Sequence, residues 1–562
     1  MAELLVVSLS ALLVIAGATV AGPRLGVAAP LLLVLIGVGA SFLPVFSGLE
    51  IEPDLILEGV LPPLLYSAAV SMPTMNFRRE FGAISGLSVL LVVVSSLVLG
   101  LFFMLVFPGI GFAWGCALGA VVSPTDAVAT SIIKRQPVSP RVVALLDGEG
   151  LLNDATALVL LRTAIVGTAA AVTFWDVAGT FAYAVVVAVA IGVAAGFGNL
   201  FVRRRVTDST VNTVISFTVP FVASLPAEAL GASGLVAAVA AGLVTGFRAP
   251  RDLSPQHRLS DTQNWRTVEV VLEGAVFLMM GLEVRAIVGE VEREHAGVGP
   301  AVLVAAGALV LVVLVRAAYV VPLLAALAAQ GRRHDRLQPR LENLQEKLST
   351  PEGRRRTVDA VSTPRRQVSE RDLDRFATRL TRGLANIEYF RRESLGWRDG
   401  VVVVWAGMRG AVTVAAVQTL PPDAPQRSTL VLVAYAVAVM SLLLQGGTVA
   451  AVVRRVTPPE DPAAAAERNQ DELARLFETL RAAAGTVPEP EEVTHAEPGP
   501  AGFPAMKRHR LAVIAAQRSA LLDARDDGTF DADILQDALA TLDATQIDLE
   551  LRGRLAGTDV PD

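Results

Sequence analysis

Cysteine is almost absent from this chain, which excludes a disulfide framework. The 562 residues contain one cysteine, Cys116, and a single thiol cannot form an intrachain disulfide. Cys116 lies within an apolar run, so we interpret it as a packing residue. The first apolar stretch also lacks a basic segment before it and an A-x-A-like site after it, so we expect no cleavable signal peptide.

Charged residues are sparse as well, and long stretches of the chain lack them. They make up 18% of the residues, against 53% that are apolar, and the mean hydropathy is +0.53. Several stretches approach the ~20 residues that a helix needs to cross ~30 Å of hydrocarbon. These thirteen stretches lie at about 3–20, 28–47, 54–72, 82–107, 111–133, 141–168, 176–202, 209–226, 231–248, 265–290, 298–328, 398–420 and 427–455. The pattern predicts an all-α polytopic membrane protein with about 13 transmembrane helices.

The basic residues predict the orientation of these spans, because lysine and arginine beside a membrane span favour the cytoplasm. Every second loop contains basic residues; these lie at position 24 and within 78–79, 134–141, 203–205, 248–266, 331–396 and 454–455. The loops that alternate with these basic loops carry acids or no charge, apart from Arg293 and Arg427. We therefore expect a multi-pass protein of the plasma (inner) membrane with its N-terminus outside and its C-terminus in the cytoplasm.

Two polar segments lie outside the spans. We divide the chain into a transmembrane domain, 1–455, which includes a cytoplasmic loop at 330–396, and a cytoplasmic C-terminal tail, 456–562. Neither segment contains a nucleotide-binding loop or a cluster of metal ligands, so we interpret them as a linker and a helical regulatory or assembly tail. Helices are predicted at 341–348, 370–393, 463–484, 505–524 and 531–552.

Three polar clusters interrupt the apolar spans, and ionisable residues in hydrocarbon are costly enough to mark functional sites. The first is S-P-T-D in the fifth span, from Ser123 to Asp126. Pro124 has no amide hydrogen, so it blocks a regular helix and predicts a broken one. The ends of the two half-helices would offer dipoles and free backbone groups to an ion, beside Thr125 and Asp126. The alternative is a simple proline kink with a capping aspartate.

The second cluster is E-G-L-L-N-D in the sixth span, from Glu149 to Asp154. These two acids are five residues apart, which places them roughly 140° apart around a helix. One acid can therefore be held in a salt bridge while the other faces a cavity, with Asn153 as its neutral neighbour. The alternative is two structural ion pairs.

The third cluster is G-M-R-G in the twelfth span, where Gly407 and Gly410 bracket Arg409. Glycine permits unwinding and close backbone approach, so we predict a second broken helix that crosses the first. Arg409 is always charged and needs a buried partner, for which we select Glu149. Asp126 and Arg409 would also neutralise the helix dipoles at the crossing.

A fourth pair of charges is Glu273, in the tenth span, and Arg316, in the eleventh. Neither accompanies a helix break, so we interpret the two as a scaffold ion pair.

The motifs S-P-T-D, E-x-L-L-N-D and G-M-R-G-A-V, in this order and in separate spans, resemble the monovalent cation:proton antiporter-1 family, the sodium/proton exchangers. The resemblance covers roughly residues 1–455. It implies inverted repeats with two broken crossing helices, a six-helix core that moves against a dimer domain, and a homodimer. It also implies roles for six residues: an ion site of Asp154, Asn153, Thr125 and Asp126, and a stabilising buried pair of Glu149 and Arg409.

This chain departs from the family pattern at two positions. Ser67 follows an L-P-P-L-L run where many relatives carry an acid, so it is a possible neutral ligand from the third span. Gly150 stands where relatives often carry a serine. Both departures bear on cation affinity and selectivity rather than on the exchange chemistry.

The combination predicts a secondary active antiporter, not an enzyme, that exchanges Na⁺ for H⁺. Asp154 is the expected sodium ligand and proton carrier, and a single titrating site predicts electroneutral 1:1 exchange. The closest alternative is a K⁺/H⁺ antiporter of the same architecture. Two others are a channel or cation-regulated receptor and an intramembrane aspartyl protease, whose G-x-G-D context is absent here. Beyond the ions and the lipid bilayer, we expect no cofactor and no nucleic-acid partner.

Overall fold

The structure of the chain is a computed structural model that describes most of its length. The described residues are helical apart from turns and short connections, and no β-strand occurs among them. The predicted all-α architecture is therefore confirmed. The described residues are 2–44, 52–126, 128–169, 173–294, 297–350, 352–353, 355, 370–457, 462–489 and 503–555.

The chain divides into two compact units. The first consists of 1–253, 257–324 and 395–458, and the second of 254–256, 325–394 and 459–562. Among the described residues, the first fourteen α-helices are α1 Ala2–Leu25, α2 Ala29–Ser41, α3 Leu61–Ser71, α4 Thr74–Ser85, α5 Leu91–Val106, α6 Phe112–Val122, α7 Val128–Ile133, α8 Pro140–Ala169, α9 Phe174–Arg203, α10 Ser209–Ala229, α11 Gly234–Asp252, α12 Pro255–Leu282, α13 Val284–Arg293 and α14 Val298–Ser349. The remaining helices are α15 Glu370–Arg392, α16 Trp397–Trp405, α17 Ala411–Gln418, α18 Arg427–Ser441, α19 Gly447–Val456, α20 Pro462–Gly485, α21 Phe503–Asp527 and α22 Ala532–Leu555.

Many of these helices have the length and composition of membrane spans. Among the described residues, seven are long and apolar enough: Leu5–Leu25, Thr74–Val106, Pro140–Thr168, Trp175–Arg203, Ser209–Ala229, Val298–Arg333 and Arg427–Val456. Three apolar helices are shorter: Ala29–Ser41, Leu55–Ser71 and Phe112–Val122. The chain is thus a multi-pass membrane protein, while the total of 13 spans stays a prediction.

Close helix packing in the first unit depends on small residues. A Cβ atom on Gly242 of α11 would lie 2.6 Å from the carbonyl oxygen of Tyr66, and one on Gly246 would lie 2.5 Å from that of Val70. In a membrane, where lipid tails are as apolar as side chains, such residues let helix backbones approach closely. This contact holds α3, which carries Ser67, tightly against α11.

The second unit has apolar cores of its own. One core joins α20, α21 and α22 through Leu476, Leu521 and Leu535. Another joins the C-terminal end of α14 to α15 through Leu348 and Leu373. The helices that the sequence predicts in the loop and the tail are confirmed. The structure adds that residues from these two separated parts of the sequence form one compact unit.

Candidate functional site

The fifth span is broken where the sequence predicts it. Helix α6 ends at Val122 and α7 begins at Val128, with Pro124 between them. The twelfth span is broken in the same way, since α16 ends at Trp405 and α17 begins at Ala411. Both predicted helix breaks are confirmed.

The two broken helices touch through their backbones. The amide nitrogen of Asp126 donates a hydrogen bond to the carbonyl oxygen of Met408, at 2.7 Å. Gly410 permits this contact, because a Cβ atom there would lie 1.2 Å from Oδ2 of Asp126. A side chain at position 410 would displace the carboxylate of Asp126. The predicted crossing of the two helices is confirmed.

The positive helix ends at the crossing face a carboxylate. Asp126 Oδ1 accepts a hydrogen bond from the amide of Val128 at 2.8 Å, and the carboxylate also accepts one from the amide of Ala411. These residues begin α7 and α17, whose first amides have no partner within their own helix. One carboxylate therefore compensates two helix N-termini.

The negative helix ends at the crossing face a guanidinium group. Arg409 donates from Nε to the carbonyl oxygen of Val122 at 2.9 Å and from Nη2 to that of Ser123 at 3.1 Å. It also donates to the carbonyl oxygen of Gly407. Arg409 is 2% exposed, so its charge is compensated by these unpaired helix-end carbonyls. The predicted roles of Asp126 and Arg409 as compensating charges agree with this geometry.

The partner of Glu149 differs from the expectation. Arg316 of α14 pairs with Glu149 through two contacts, Nη1 to Oε1 at 2.5 Å and Nη2 to Oε2 at 2.7 Å. The predicted pairing of Glu149 with Arg409 is wrong, because Arg409 directs its donors at backbone carbonyls. Arg316 is held in place by a further hydrogen bond from its Nε to the carbonyl oxygen of Val403, at 2.9 Å.

The predicted scaffold pair of Glu273 and Arg316 is wrong for the same reason, since Arg316 is occupied by Glu149. Glu273 is half-buried on α12 and lies within electrostatic range of Asp126 and Glu269. It forms no ion pair with a described residue. Glu273 is therefore an additional acid near the site, whereas the sequence analysis interpreted it as part of a scaffold ion pair.

A chain of hydrogen bonds orients Asn153. Its Nδ2 donates to the carbonyl oxygen of Thr125 at 2.9 Å and to Thr125 Oγ1 at 2.8 Å. That hydroxyl donates in turn to Glu149 Oε1 at 3.0 Å. Asn153 Oδ1 is buried and has no hydrogen-bond partner among the described residues. An amide oxygen is therefore available at this position.

Asp154, one residue further along α8, is an unpaired acid. It is 7% exposed and forms no hydrogen bond or ion pair with any residue in the described part of the chain. The charged group that acts on it electrostatically is Asp126. Burying a carboxylate without a partner is unfavourable, which favours its association with a proton or a cation.

Ser67 is buried on α3, and its hydroxyl makes no hydrogen bond to Thr125, Asn153 or Asp154. The predicted site residues on α6–α8 and α16–α17 are thus brought together, while Ser67 stays a candidate ligand. Sequence reasoning missed the role of Arg316, although its signal, an arginine in an apolar span, was present.

Comparison with known proteins places this chain in a family. Residues 8–353, more than half of the chain, match the family described as "Sodium/hydrogen exchanger, transmembrane". A relative from Escherichia coli K12, named as an uncharacterized Na⁺/H⁺ exchanger, YjcE, is 36% identical over 271 residues, which cover 46% of this chain and 49% of that protein. The chain therefore matches about half the length of that relative.

A second relative and a solved structure extend the comparison. The "Sodium, potassium, lithium and rubidium/H(+) antiporter" of Bacillus subtilis is 30% identical over 279 residues, covering 48% of this chain and 41% of that protein. The fold is similar to the structure of the sodium proton antiporter MjNhaP1 from Methanocaldococcus jannaschii, with a TM-score of 0.53 and 14% identity over 81% of this chain and 99% of that one. The chain belongs to the sodium/hydrogen exchanger family, whose members are secondary transporters and not enzymes.

Proposed function

We propose that this protein exchanges a monovalent cation, preferably Na⁺, for H⁺ across the plasma membrane, with Asp154 binding the two ions alternately. The observation that carries the proposal is the buried carboxylate of Asp154, which has no partner among the described residues. Beside it, Oδ1 of Asn153 also lacks a hydrogen-bond partner in this part of the chain. Two oxygen atoms of this kind suit a hard cation such as Na⁺, which prefers oxygen ligands.

Exchange follows from competition at one carboxylate. A protonated Asp154 has no charge to attract Na⁺, and a sodium-bound Asp154 has no free charge to attract a proton. The protein returns between the two sides with one ion or the other, because an empty buried carboxylate is unfavourable. Each cycle therefore moves Na⁺ one way and H⁺ the other.

Two of the neighbouring acids are committed to other partners, which favours a single carrier. Glu149 is paired with Arg316, and Asp126 accepts hydrogen bonds from two helix-end amides. Asp126 is then a fixed charge beside the ion, and Thr125 supports the site by orienting Asn153. One carrier predicts electroneutral 1:1 exchange.

A K⁺/H⁺ antiporter is the second candidate function. The relative from Bacillus subtilis carries potassium in its name, and here Ser67 and Gly150 stand at the two positions that depart from the family pattern. Neutral groups at these positions would weaken the preference for the smaller ion. Ser67 enters the proposal as a third-span ligand on these grounds.

The proposal also covers the domains of the chain, its oligomeric state and its orientation in the membrane. Residues 1–455 would carry out exchange as a homodimer, with the N-terminus outside and the C-terminus in the cytoplasm. The tail, 456–562, would serve regulation or assembly. The alternating basic loops support this orientation.

The test is cation-dependent dequenching of a pH dye in everted vesicles, with Na⁺, Li⁺ and K⁺ added separately over a range of pH. The half-saturating Na⁺ concentration should rise as the pH falls, while the maximal rate is unchanged, because H⁺ competes for the same carboxylate. Dequenching by K⁺ at lower concentrations than Na⁺ would establish the second candidate. No cation-driven proton movement would overturn the proposal.

A further inference from the structure

A stripe of arginine residues follows directly after the last apolar residues of α14. Arg332, Arg333, Arg336 and Arg340, which we call the basic stripe, are all exposed. None of them forms a hydrogen bond, ion pair or ring contact with a residue that the structure describes. By length and composition, the apolar span of the same helix ends at Arg333, so we expect the stripe to begin where the helix leaves the hydrocarbon.

Two basic residues beside other spans have acidic partners, unlike those of the stripe. Lys134 Nζ lies 2.9 Å from Asp147 Oδ2, and Arg248 Nε lies 2.9 Å from Asp252 Oδ2. Charges that assist membrane insertion can thus be satisfied within the protein. The four arginines of the stripe have no such partner in the described part of the chain.

Helix geometry places the stripe beside an exposed apolar residue. Three of its members are four residues apart, at 332, 336 and 340, and such residues lie along one side of a helix. Leu337, between them in sequence, is 46% exposed. Beyond it, Leu341 and Leu348 lie on the same side of the helix as Leu337 and pack against Leu373. One side of this part of α14 is therefore covered, and the side with the arginines is open.

We propose that the basic stripe docks on the anionic phosphate headgroups of the membrane leaflet at which α14 leaves the bilayer. A guanidinium group binds a phosphate through two hydrogen bonds, and clustered arginines next to a span are attracted by the negative surface of the cytoplasmic leaflet. The long aliphatic stems and the exposed Leu337 suit the boundary between headgroups and acyl chains, which a soluble anion does not provide.

The experiment measures the melting temperature of the full-length protein in detergent while phosphatidylglycerol or phosphatidylcholine is added. We expect phosphatidylglycerol alone to raise the melting temperature, with a smaller rise at high salt. The triple variant R332Q/R336Q/R340Q should lose at least half of that rise. Its melting temperature in phosphatidylcholine should match that of the unmodified protein, because all three side chains are exposed.

A matched control removes three other exposed arginines. R375Q/R481Q/R552Q changes the net charge by the same amount, at positions on α15, α20 and α22, and should keep the full rise. The variant R332K/R336K/R340K keeps the charge and should keep most of the rise. It provides a second comparison if the glutamine variant cannot be purified.

Two results would overturn the proposal. An equal rise in the glutamine variant and the control would show that the stripe does not bind the lipid. The same rise with inorganic phosphate or glycerol phosphate, added without lipid, would identify a soluble anion as the occupant.

Discussion

Glu149 and Arg316 form a bidentate ion pair between α8 and α14, in which Nη1 and Nη2 lie 2.5 and 2.7 Å from the two carboxylate oxygens. Both side chains are at most 2% exposed. Through Thr125, the same carboxylate also determines the orientation of Asn153. The pair is therefore part of the support of the ion site as well as of the fold.

Removal of either partner should destabilise the protein strongly. Truncation leaves an uncompensated buried charge, so Glu149→Ala or Arg316→Ala should lower the free energy of unfolding by about 3–5 kcal/mol. The melting temperature in detergent measures this. The double variant should lose clearly less than the sum of the single losses. A larger coupling of Glu149 with Arg409 than with Arg316 would contradict the assigned pair.

The substitution Asp154→Asn should abolish exchange while leaving the fold intact. It keeps the shape of the side chain but removes the group that titrates, and Asp154 has no ion pair with a described residue to lose. The readout is cation-driven proton flux in proteoliposomes, together with the melting temperature. Asp147→Asn is a suitable control, because Asp147 lies on the same helix but pairs with Lys134. Cation-driven flux in the Asp154 variant would exclude this residue as the carrier.

Position 410 should accept only glycine. A Cβ atom there would overlap the carboxylate of Asp126, so Gly410→Ala must displace the charge that compensates two helix ends. We expect a loss of about 1–3 kcal/mol in stability and a large loss of transport. Gly289→Ala is the matched control, since a Cβ atom at Gly289 of α13 meets no atom within 4 Å. If Gly410→Ala kept the same stability and transport rate as Gly289→Ala, the crossing would tolerate a side chain.

Transport should not depend on the membrane potential. With Asp154 as the only group that exchanges H⁺ for a cation, each cycle moves no net charge. Proteoliposomes with and without a potassium–valinomycin potential should then show equal rates, while a pH gradient drives exchange. A clear dependence on potential would mean that a second acid titrates. The same measurement on Glu273→Gln would then identify the acid. Loss of the dependence on potential would point to Glu273, and its retention would point to Asp126.

The features that sequence reasoning predicted well are those with local causes. Pro124 breaks a helix because it lacks an amide hydrogen, and Gly407 and Gly410 allow the backbone to unwind. Asp154 is recognisable because an acid in an apolar span is energetically costly and therefore marks a functional site. These inferences require only the neighbouring residues, and the structure agrees with each of the two breaks and with the burial of Asp154.

The partner of Glu149 had no local cause, so the sequence by itself did not determine it. Arg316 and Arg409 are both buried arginines in apolar surroundings, and the pattern of residues around them does not say which one faces the carboxylate. Only the packing of α14 against α8 and α16 brings Arg316 to Glu149, 167 residues away in the chain. Arg409 is taken by the carbonyls of the broken helix ends, which exist only once the two helices cross. The sequence determined that buried charges must be compensated, and the tertiary structure decided by which groups, because a guanidinium serves whichever acceptors lie within hydrogen-bond distance.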